Sequence, residues 1–270
     1  MQKHNAYVSV VQITDCHLYQ DPEAGLYGLN SRLGLEKVVA MAAKYAPERV
    51  LLTGDIVHDE TREGYEALHH LVAPLQAPVA CIPGNHDDFD LMRSVLNLAG
   101  LADQQASCGK SILFSHWQII LLNSQVEGKV SGALSDDELD FLRYQLNKHP
   151  EHHTIICMHH HPVKIGSQWL DRIGLANADD LFEILDDSPQ VKALVWGHVH
   201  QSFEEFRDGR YLLACPSTCI QFTPGADNFE LDTLTPGFRW FRLHDDGVLE
   251  TGVERLPAMP GQLNTEASGY

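Results

Sequence analysis

Residues 79–87 read Val79-Ala80-Cys81-Ile82-Pro83-Gly84-Asn85-His86-Asp87. The apolar run has strand length, Pro83-Gly84 stops it, and the groups that follow can bind a cation or move a proton. The same layout recurs along the chain. Tyr7–Ile13 reads as a buried strand and leads into Asp15-Cys16-His17. Arg49–Thr53 leads into Gly54-Asp55, Thr154–Met158 into His159-His160-His161, and Val191–Trp196 into Gly197-His198-Val199-His200. In α/β sheets, functional groups gather at the carboxyl ends of strands, on loops held by a rigid frame.

Helical patterns separate these strands. Ser31–Tyr45 carries Leu35, Val38, Val39 and Ala42 at helical spacing, and Glu63–Val72, Phe89–Leu98 and Ala178–Leu185 read likewise. Ser135–Asn147 opens on a capping box, Ser135 with Glu138, before Leu139, Leu142 and Leu146. Ile112–Phe114 and Trp117–Asn123 read as an antiparallel pair. Towards the C-terminus the rhythm changes to hairpins. Phe203–Phe206 and Tyr211–Cys215 flank Asp208-Gly209, and Phe238–Leu243 with Val248–Glu254 flank Asp245-Asp246-Gly247. This order predicts an α/β fold, a four-layer α-β-β-α sandwich of two mixed sheets with helices outside. The chain has no internal repeat or linker. Residues 1–258 read as one domain, and 259–270, rich in Gly, Pro, Asn and Ser, as a loose tail.

Composition narrows the class. The 270 residues are 44% hydrophobic and 21% charged, as in a globular protein. Nineteen Lys and Arg against 37 Asp and Glu give a net charge of −18, which repels polyanions. A nucleic-acid polymer or an anionic membrane is therefore a poor partner. No apolar run reaches the roughly 18 residues of a membrane span, and the N-terminus carries no signal-peptide core. The six cysteines, Cys16, Cys81, Cys108, Cys157, Cys215 and Cys219, form no C-x-x-C pair. They read as reduced thiols buried in strands, with a cytoplasmic address.

Sixteen histidines are more than a surface needs. His69, His70, His149, His152 and His153 fit surface positions, but the strand-end clusters do not. In D-x-H and H-x-H, alternation along an extended backbone would place both donors on one side, within reach of a common centre. Imidazole with carboxylate or amide oxygen, and no thiolate, suits Mn, Fe or Zn. Gly54, Gly84 and Gly197 each precede a candidate ligand, where the backbone must turn sharply or pass close to an ion.

The ordered set D-x-H, G-D, G-N-H-D, a His after a strand, and G-H-x-H resembles the calcineurin-like metallophosphoesterases. The likeness extends to one branch, the bacterial class III 3′,5′-cyclic AMP phosphodiesterases. It is carried by QITDCHLY (12–19), LLNSQVEG (121–128), GALSDDELDFL (132–142), MHHHP (158–162), SQWLD (167–171), GHVHQ (197–201) and residues 216–239. The resemblance implies two divalent cations. Asp15, His17 and His200 would hold one, Asn85, His159 and His198 the other, and Asp55 would bridge them. It further implies that a metal-bridging hydroxide attacks a cyclic nucleotide, with His86 protonating the 3′ leaving oxygen. His17, Asp55, Asn85, His86 and His200 would contact the substrate. With both ions, two carboxylates and the hydroxide, the centre carries about +1, which attracts a phosphodiester monoanion.

Three features depart from that pattern. Cys16 stands where a hydroxyl residue is expected, and alternation points it away as a small buried filler. The triple histidine leaves His159 or His160 as ligand; gap-free alignment of H-H-P-P relatives favours His159, and His161 falls near the substrate. The protein phosphatases of the superfamily carry an Arg shortly after G-D, whereas here Asp59 and Glu60 follow, which disfavours a dianionic monoester. Rival readings are a phosphodiesterase for another small diester, such as a 2′,3′-cyclic nucleotide or glycerophosphodiester, a DNA nuclease, and a non-catalytic scaffold. The C-terminal hairpins offer strand edges through which a homodimer could pair.

Overall fold

The structure, a computed structural model, describes residues 7–96, 110–266 and 269. In chain order it comprises β1 (Tyr7–Ile13), β2 (Gly25–Leu26), β3 (Leu29–Asn30), α1 (Ser31–Ala42), β4 (Arg49–Thr53), α2 (Arg62–Val72), β5 (Val79–Ile82), α3 (Phe89–Val95), β6 (Lys110–Leu113) and β7 (Trp117–Leu121). It continues with α4 (Asp136–Lys148), β8 (His153–Cys157), α5 (Ala178–Asp186), β9 (Val191–Trp196), β10 (Phe203–Arg207), β11 (Arg210–Ala214), β12 (Gln221–Phe222), β13 (Leu231–Asp232), β14 (Gly237–His244) and β15 (Leu249–Arg255).

Two mixed sheets form the centre. One has five strands in the order β15-β14-β1-β4-β5, and the other six in the order β10-β11-β9-β8-β7-β6. Strands β1, β4 and β5 run parallel, as do β7, β8, β9 and β11, while the hairpins add antiparallel edges.

Side-chain alternation then assigns the layers. Val10, Leu51, Ile155, Cys157, Ala193 and Val195 face inward and form one apolar cluster between the sheets. Their neighbours face outward. Val11, Ile13, Val50 and Leu52 pack with Leu35, Val38 and Val39 of α1 and Tyr65 and Leu68 of α2. Ile156, Leu194 and Trp196 pack with Leu139, Leu142 and Leu146 of α4 and Leu181 and Leu185 of α5. Strands buried on both faces read as continuous apolar runs, so the four-layer sandwich was legible from them.

Details differ where the determinants are not local. The short pairs β2–β3 and β12–β13 have no sequence period long enough to register. Helix α3 ends at Val95, before the expected Leu98, and Leu98 and Cys108 lie outside the described residues. Cys81 and Cys157 lie in strands, but Cys16, Cys215 and Cys219 sit in buried loops just past strand ends. From residue 259 the chain makes specific contacts: Met259 and Leu263 pack against the core, and the Asn264 N–H donates to the Tyr27 carbonyl at 2.8 Å. Ser135 caps α4 by accepting from the Glu138 N–H at 3.3 Å, and the Glu138 carboxylate accepts from the Asn123 N–H at 3.1 Å.

Gln12 joins the two sheets from within. Its buried Nε2 donates to Thr53 Oγ1 at 2.9 Å and to the Trp196 carbonyl of the opposite sheet at 3.0 Å. Gln12→Leu keeps the volume but removes both bonds and strands Thr53 Oγ1 in a dry interior, while the Trp196 carbonyl keeps the Cys215 N–H at 3.1 Å. Urea unfolding should show a stability loss of about 2 kcal/mol; no change would mean that the two bonds contribute nothing net.

Candidate metal centre

The carboxyl ends of β1, β4 and β5 in one sheet and of β8 and β9 in the other meet at a single buried point. Asp15, His17, Asp55 and His200 place one donor atom each within 4.8 Å of one another. His17 Nε2 lies 3.0 Å from His200 Nε2 and 3.9 Å from Asp55 Oδ2. Asp15 Oδ1 lies 3.4 Å from His200 Nε2. The same Asp55 Oδ2 is 3.4 Å from His159 Nε2, which is 3.3 Å from Asn85 Oδ1. The His198 ring lies 5.0 Å from that of His159, and the His86 ring 5.1 Å from that of His17. All eight residues expected at the centre are therefore brought together, and the Asp55 carboxylate reaches imidazoles of both groups.

The means of convergence differs from the expected one. Strands β1 and β9 end at Ile13 and Trp196, before the ligand pairs begin. Among the described residues ten non-glycines have positive φ, and half of them are Asp15, His17, Asp55, His198 and His200. These left-handed kinks, not pleat alternation, aim the side chains. Such residues cost of order 1–3 kcal/mol each and persist only where their surroundings over-determine them. Here the loops clamp each other. The Asp15 N–H donates to the Gly54 carbonyl and the His17 N–H to the Asp55 carbonyl, both at 3.0 Å. Across the sheets, the His198 N–H donates to the Asp15 carboxylate at 3.0 Å. At Gly54, with φ of 93°, a Cβ would collide with the His159 ring, and at Gly84 with Asp55.

Backbone carbonyls fix the tautomers of three imidazoles, because a carbonyl only accepts. His159 Nδ1 faces the Thr53 carbonyl at 2.8 Å, and His200 Nδ1 that of Ile220 at 3.0 Å. His198 Nε2 faces the Ile173 carbonyl at 3.1 Å. In its neutral form each ring then offers its other nitrogen as a lone pair. For His159 and His200, that lone pair points at carboxylate or amide oxygens that are acceptors too. Acceptors aimed at acceptors repel unless a cation stands between them, and N/O donors without thiolate are the set that Mn, Fe or Zn takes.

The electrostatics agree. Burial holds the His17 and His198 imidazoles well below their usual value, and neighbouring histidines push the same way. Burial opposes the charged forms of Asp55 and His159 as well. Their mutual attraction nevertheless lifts His159 up to about 9 and holds Asp55 well below the carboxylate range. One proton relieves one of these contacts, whereas a cation relieves all of them and displaces the proton.

His160 shares a three-imidazole group with His159 and His198. Both of its ring nitrogens are nonetheless engaged outward, Nδ1 with Ser124 Oγ at 2.8 Å and Nε2 with the Val130 carbonyl at 3.1 Å. His161 is 2% exposed and stacks on the His198 ring at 5.7 Å, buried beside the centre. Cys16 packs among Leu18, Leu35 and Val38, and burial pushes its thiol far up, so it is an inert filler. Asp59 accepts from the Gln20 N–H at 2.9 Å and from Thr61 Oγ1 at 2.7 Å, while Glu60 is exposed.

Two residues beside the centre escaped the sequence reading. His58 Nδ1 lies 3.0 Å from His17 Nδ1. Asp87 closes the G-N-H-D loop onto the G-D loop, accepting from the N–H groups of Ile56, Val57 and Gly84 and from the Tyr65 hydroxyl. Burial, with Asp55 nearby, pushes its carboxyl up to about 6. The acid in G-N-H-D was visible, but its partners lie in other segments.

A family model described as calcineurin-like phosphoesterase matches residues 8–202. The chain belongs to that family. This phosphoesterase is 41% identical, over 268 residues, to the 3′,5′-cyclic adenosine monophosphate phosphodiesterase CpdA of Pseudomonas aeruginosa, covering 98% of this chain and 96% of that one. It is 38% identical to a 3′,5′-cyclic-nucleotide phosphodiesterase of Nostoc, covering 93% of each. Among solved structures, a dimetal phosphatase from Danio rerio superposes with a TM-score of 0.66 over 92% of this phosphoesterase and 98% of that chain; at 16% identity this speaks for the fold alone. No helix among the described residues is long and apolar enough to cross a membrane.

Asp87→Ala leaves those buried donors unpaired. The variant should lose about 3 kcal/mol in urea unfolding. A loss below about 1 kcal/mol would show that the loops hold without the carboxylate.

Proposed function

We propose that this phosphoesterase hydrolyses 3′,5′-cyclic AMP to 5′-AMP at a centre of two divalent cations. The observation that carries the reading is the convergence of tautomer-fixed imidazole nitrogens on Asp15, Asp55 and Asn85, where acceptor faces acceptor. Asp15, His17 and His200 would hold one cation and Asn85, His159 and His198 the other, with the Asp55 carboxylate shared between the two groups. Iron or manganese suits this donor set, and zinc is the alternative. The names of the near-full-length relatives support the cyclic nucleotide as substrate. The buried thiols suit a reducing, cytoplasmic address.

When bound, the cations supply Lewis acidity that activates the attacking water and neutralises charge on the phosphoryl oxygens. The protein's own residues do the rest. His17, Asp55, Asn85, His86 and His200 surround the phosphate. The water oxygen bonds to phosphorus as the bond from phosphorus to O3′ breaks. His86, half-buried, donates a proton to O3′, because a ribose alkoxide is a poor leaving group near neutral pH. The Asp55 carboxylate anchors the loop that carries this donor by accepting the His86 backbone N–H at 2.9 Å. Asp59 and Glu60 on the neighbouring loop repel a dianionic monoester more than a monoanionic diester.

A panel of 3′,5′-cAMP, 3′,5′-cGMP, 2′,3′-cyclic nucleotides and glycerophosphodiesters, assayed with Mn²⁺ and with chelator, tests the reading. Metal-dependent turnover should be greatest on 3′,5′-cAMP, and Asp55→Ala should abolish it in a folded protein. Preference for another diester replaces the substrate; activity that survives the chelator removes the metal mechanism. His86→Ala should lower kcat on the cyclic nucleotide by about 10²–10⁴ with metal content retained. Loss of metal instead would make His86 a ligand.

A further inference from the structure

His58 stands between a ligand and the proton donor of the reading above, and the inference rests on that reading. Its backbone N–H donates to the Leu18 carbonyl at 2.8 Å, which ties the loop after β4 to the loop after β1. Its ring stacks on the His86 ring at 4.5 Å and 20°. On its other flank lies Tyr19, at 5.0 Å and 37°. The half-buried imidazole is thus held as the middle layer of an aromatic column whose outer member is His86.

Its polar edge has a separate contact. His17 turns Nε2 to His200 and Asp55, and Nδ1 to His58 Nδ1, at 3.0 Å. Two nitrogens at that distance either face a common cation, as His17 Nε2 and His200 Nε2 do in the reading above, or share one proton, as at this outer edge. For His17 to offer a lone pair at Nε2, the proton must sit on its own Nδ1, and His58 Nδ1 must accept it. His58 therefore serves His17 as the Ile220 carbonyl serves His200, fixing tautomer and ring plane.

We propose that His58 is a positioning residue with two separable tasks: its Nδ1 fixes the metal-binding tautomer of His17, and its ring face fixes the plane of His86 for proton donation to the leaving oxygen. The tasks use different atoms, so substitutions can divide them. His58→Asn keeps an acceptor near the Nδ1 position and removes the ring. His58→Phe keeps the ring and removes the acceptor.

Three readouts separate the tasks: Mn²⁺ affinity by titration, kcat on bis-(p-nitrophenyl) phosphate, and kcat on 3′,5′-cAMP. p-Nitrophenolate leaves without a proton, whereas the ribose alkoxide needs one. His58→Phe should weaken Mn²⁺ binding by about 10–100-fold, with the ratio of the two kcat values at saturating metal close to wild type. His58→Asn should bind Mn²⁺ as wild type does. Its kcat on 3′,5′-cAMP should fall about tenfold or more while bis-(p-nitrophenyl) phosphate turnover holds within about twofold.

Variants that shift all three readouts together, or none, reduce His58 to packing and overturn the proposal. So does a third Mn²⁺ per wild-type chain that both variants lose, since His17, His58 and His86 would then be ligands. If wild type prefers another alkoxide-leaving diester, the substrate reading fails and the same contrast is run on that diester. If it turns over none, the functional reading fails, and the Mn²⁺ affinities alone decide the His17 task and with it the proposal.

Discussion

Lone pairs that face lone pairs are the constraint around which this molecule is arranged. The carbonyls of Thr53, Ile220 and Ile173 each take the N–H of one imidazole and leave its other nitrogen as an acceptor. At His159 and His200 those acceptors meet carboxylate and amide oxygens at 3.3–3.4 Å. Such an arrangement is unstable by itself and becomes favourable around positive charge. The left-handed backbone at Asp15, His17, Asp55, His198 and His200, and the close approach of backbone at Gly54 and Gly84, follow from the need to force these groups together.

That constraint explains why two sheets are needed. One sheet supplies Asp15, His17, Asp55, Asn85 and His86 from the ends of β1, β4 and β5; the other supplies His159, His198 and His200 from β8 and β9. Parallel strands present all these ends at one edge of the sandwich. The inward apolar cluster holds the sheets face to face, and polar ties set their alignment: Gln12 to the Trp196 carbonyl, and the His198 N–H to Asp15. The positions of these side chains therefore inherit the precision of a packed core rather than the freedom of a loop.

Most of the frame was legible along the chain because buried parallel strands are apolar runs of fixed length, and the stop residues after them are distinct. Strands Tyr7–Ile13, Arg49–Thr53, Val79–Ile82 and Val191–Trp196 match their expected bounds for this reason. Alternation was the wrong account of the ligand pairs, since they lie past the strand ends, where φ is free to change sign. The engagement of His160 with Ser124 and Val130 was out of reach, because those partners are about thirty residues away. His58 was passed over for the same reason: within Gly54–Glu60 it is a lone histidine, and only folding brings His17 to its edge and His86 to its face.

The sequence by itself determined the identity and order of the donor groups and the strands that carry them, because hydrophobic period, strand length and glycine placement are local properties. The tertiary structure alone decided which nitrogen of His159, His198 and His200 is taken by a carbonyl, how the Asp55 carboxylate reaches imidazoles from both sheets, and which rings pack against His86. Those are matters of direction. Direction depends on backbone carbonyls and aromatic faces contributed by segments that meet only when the two sheets close.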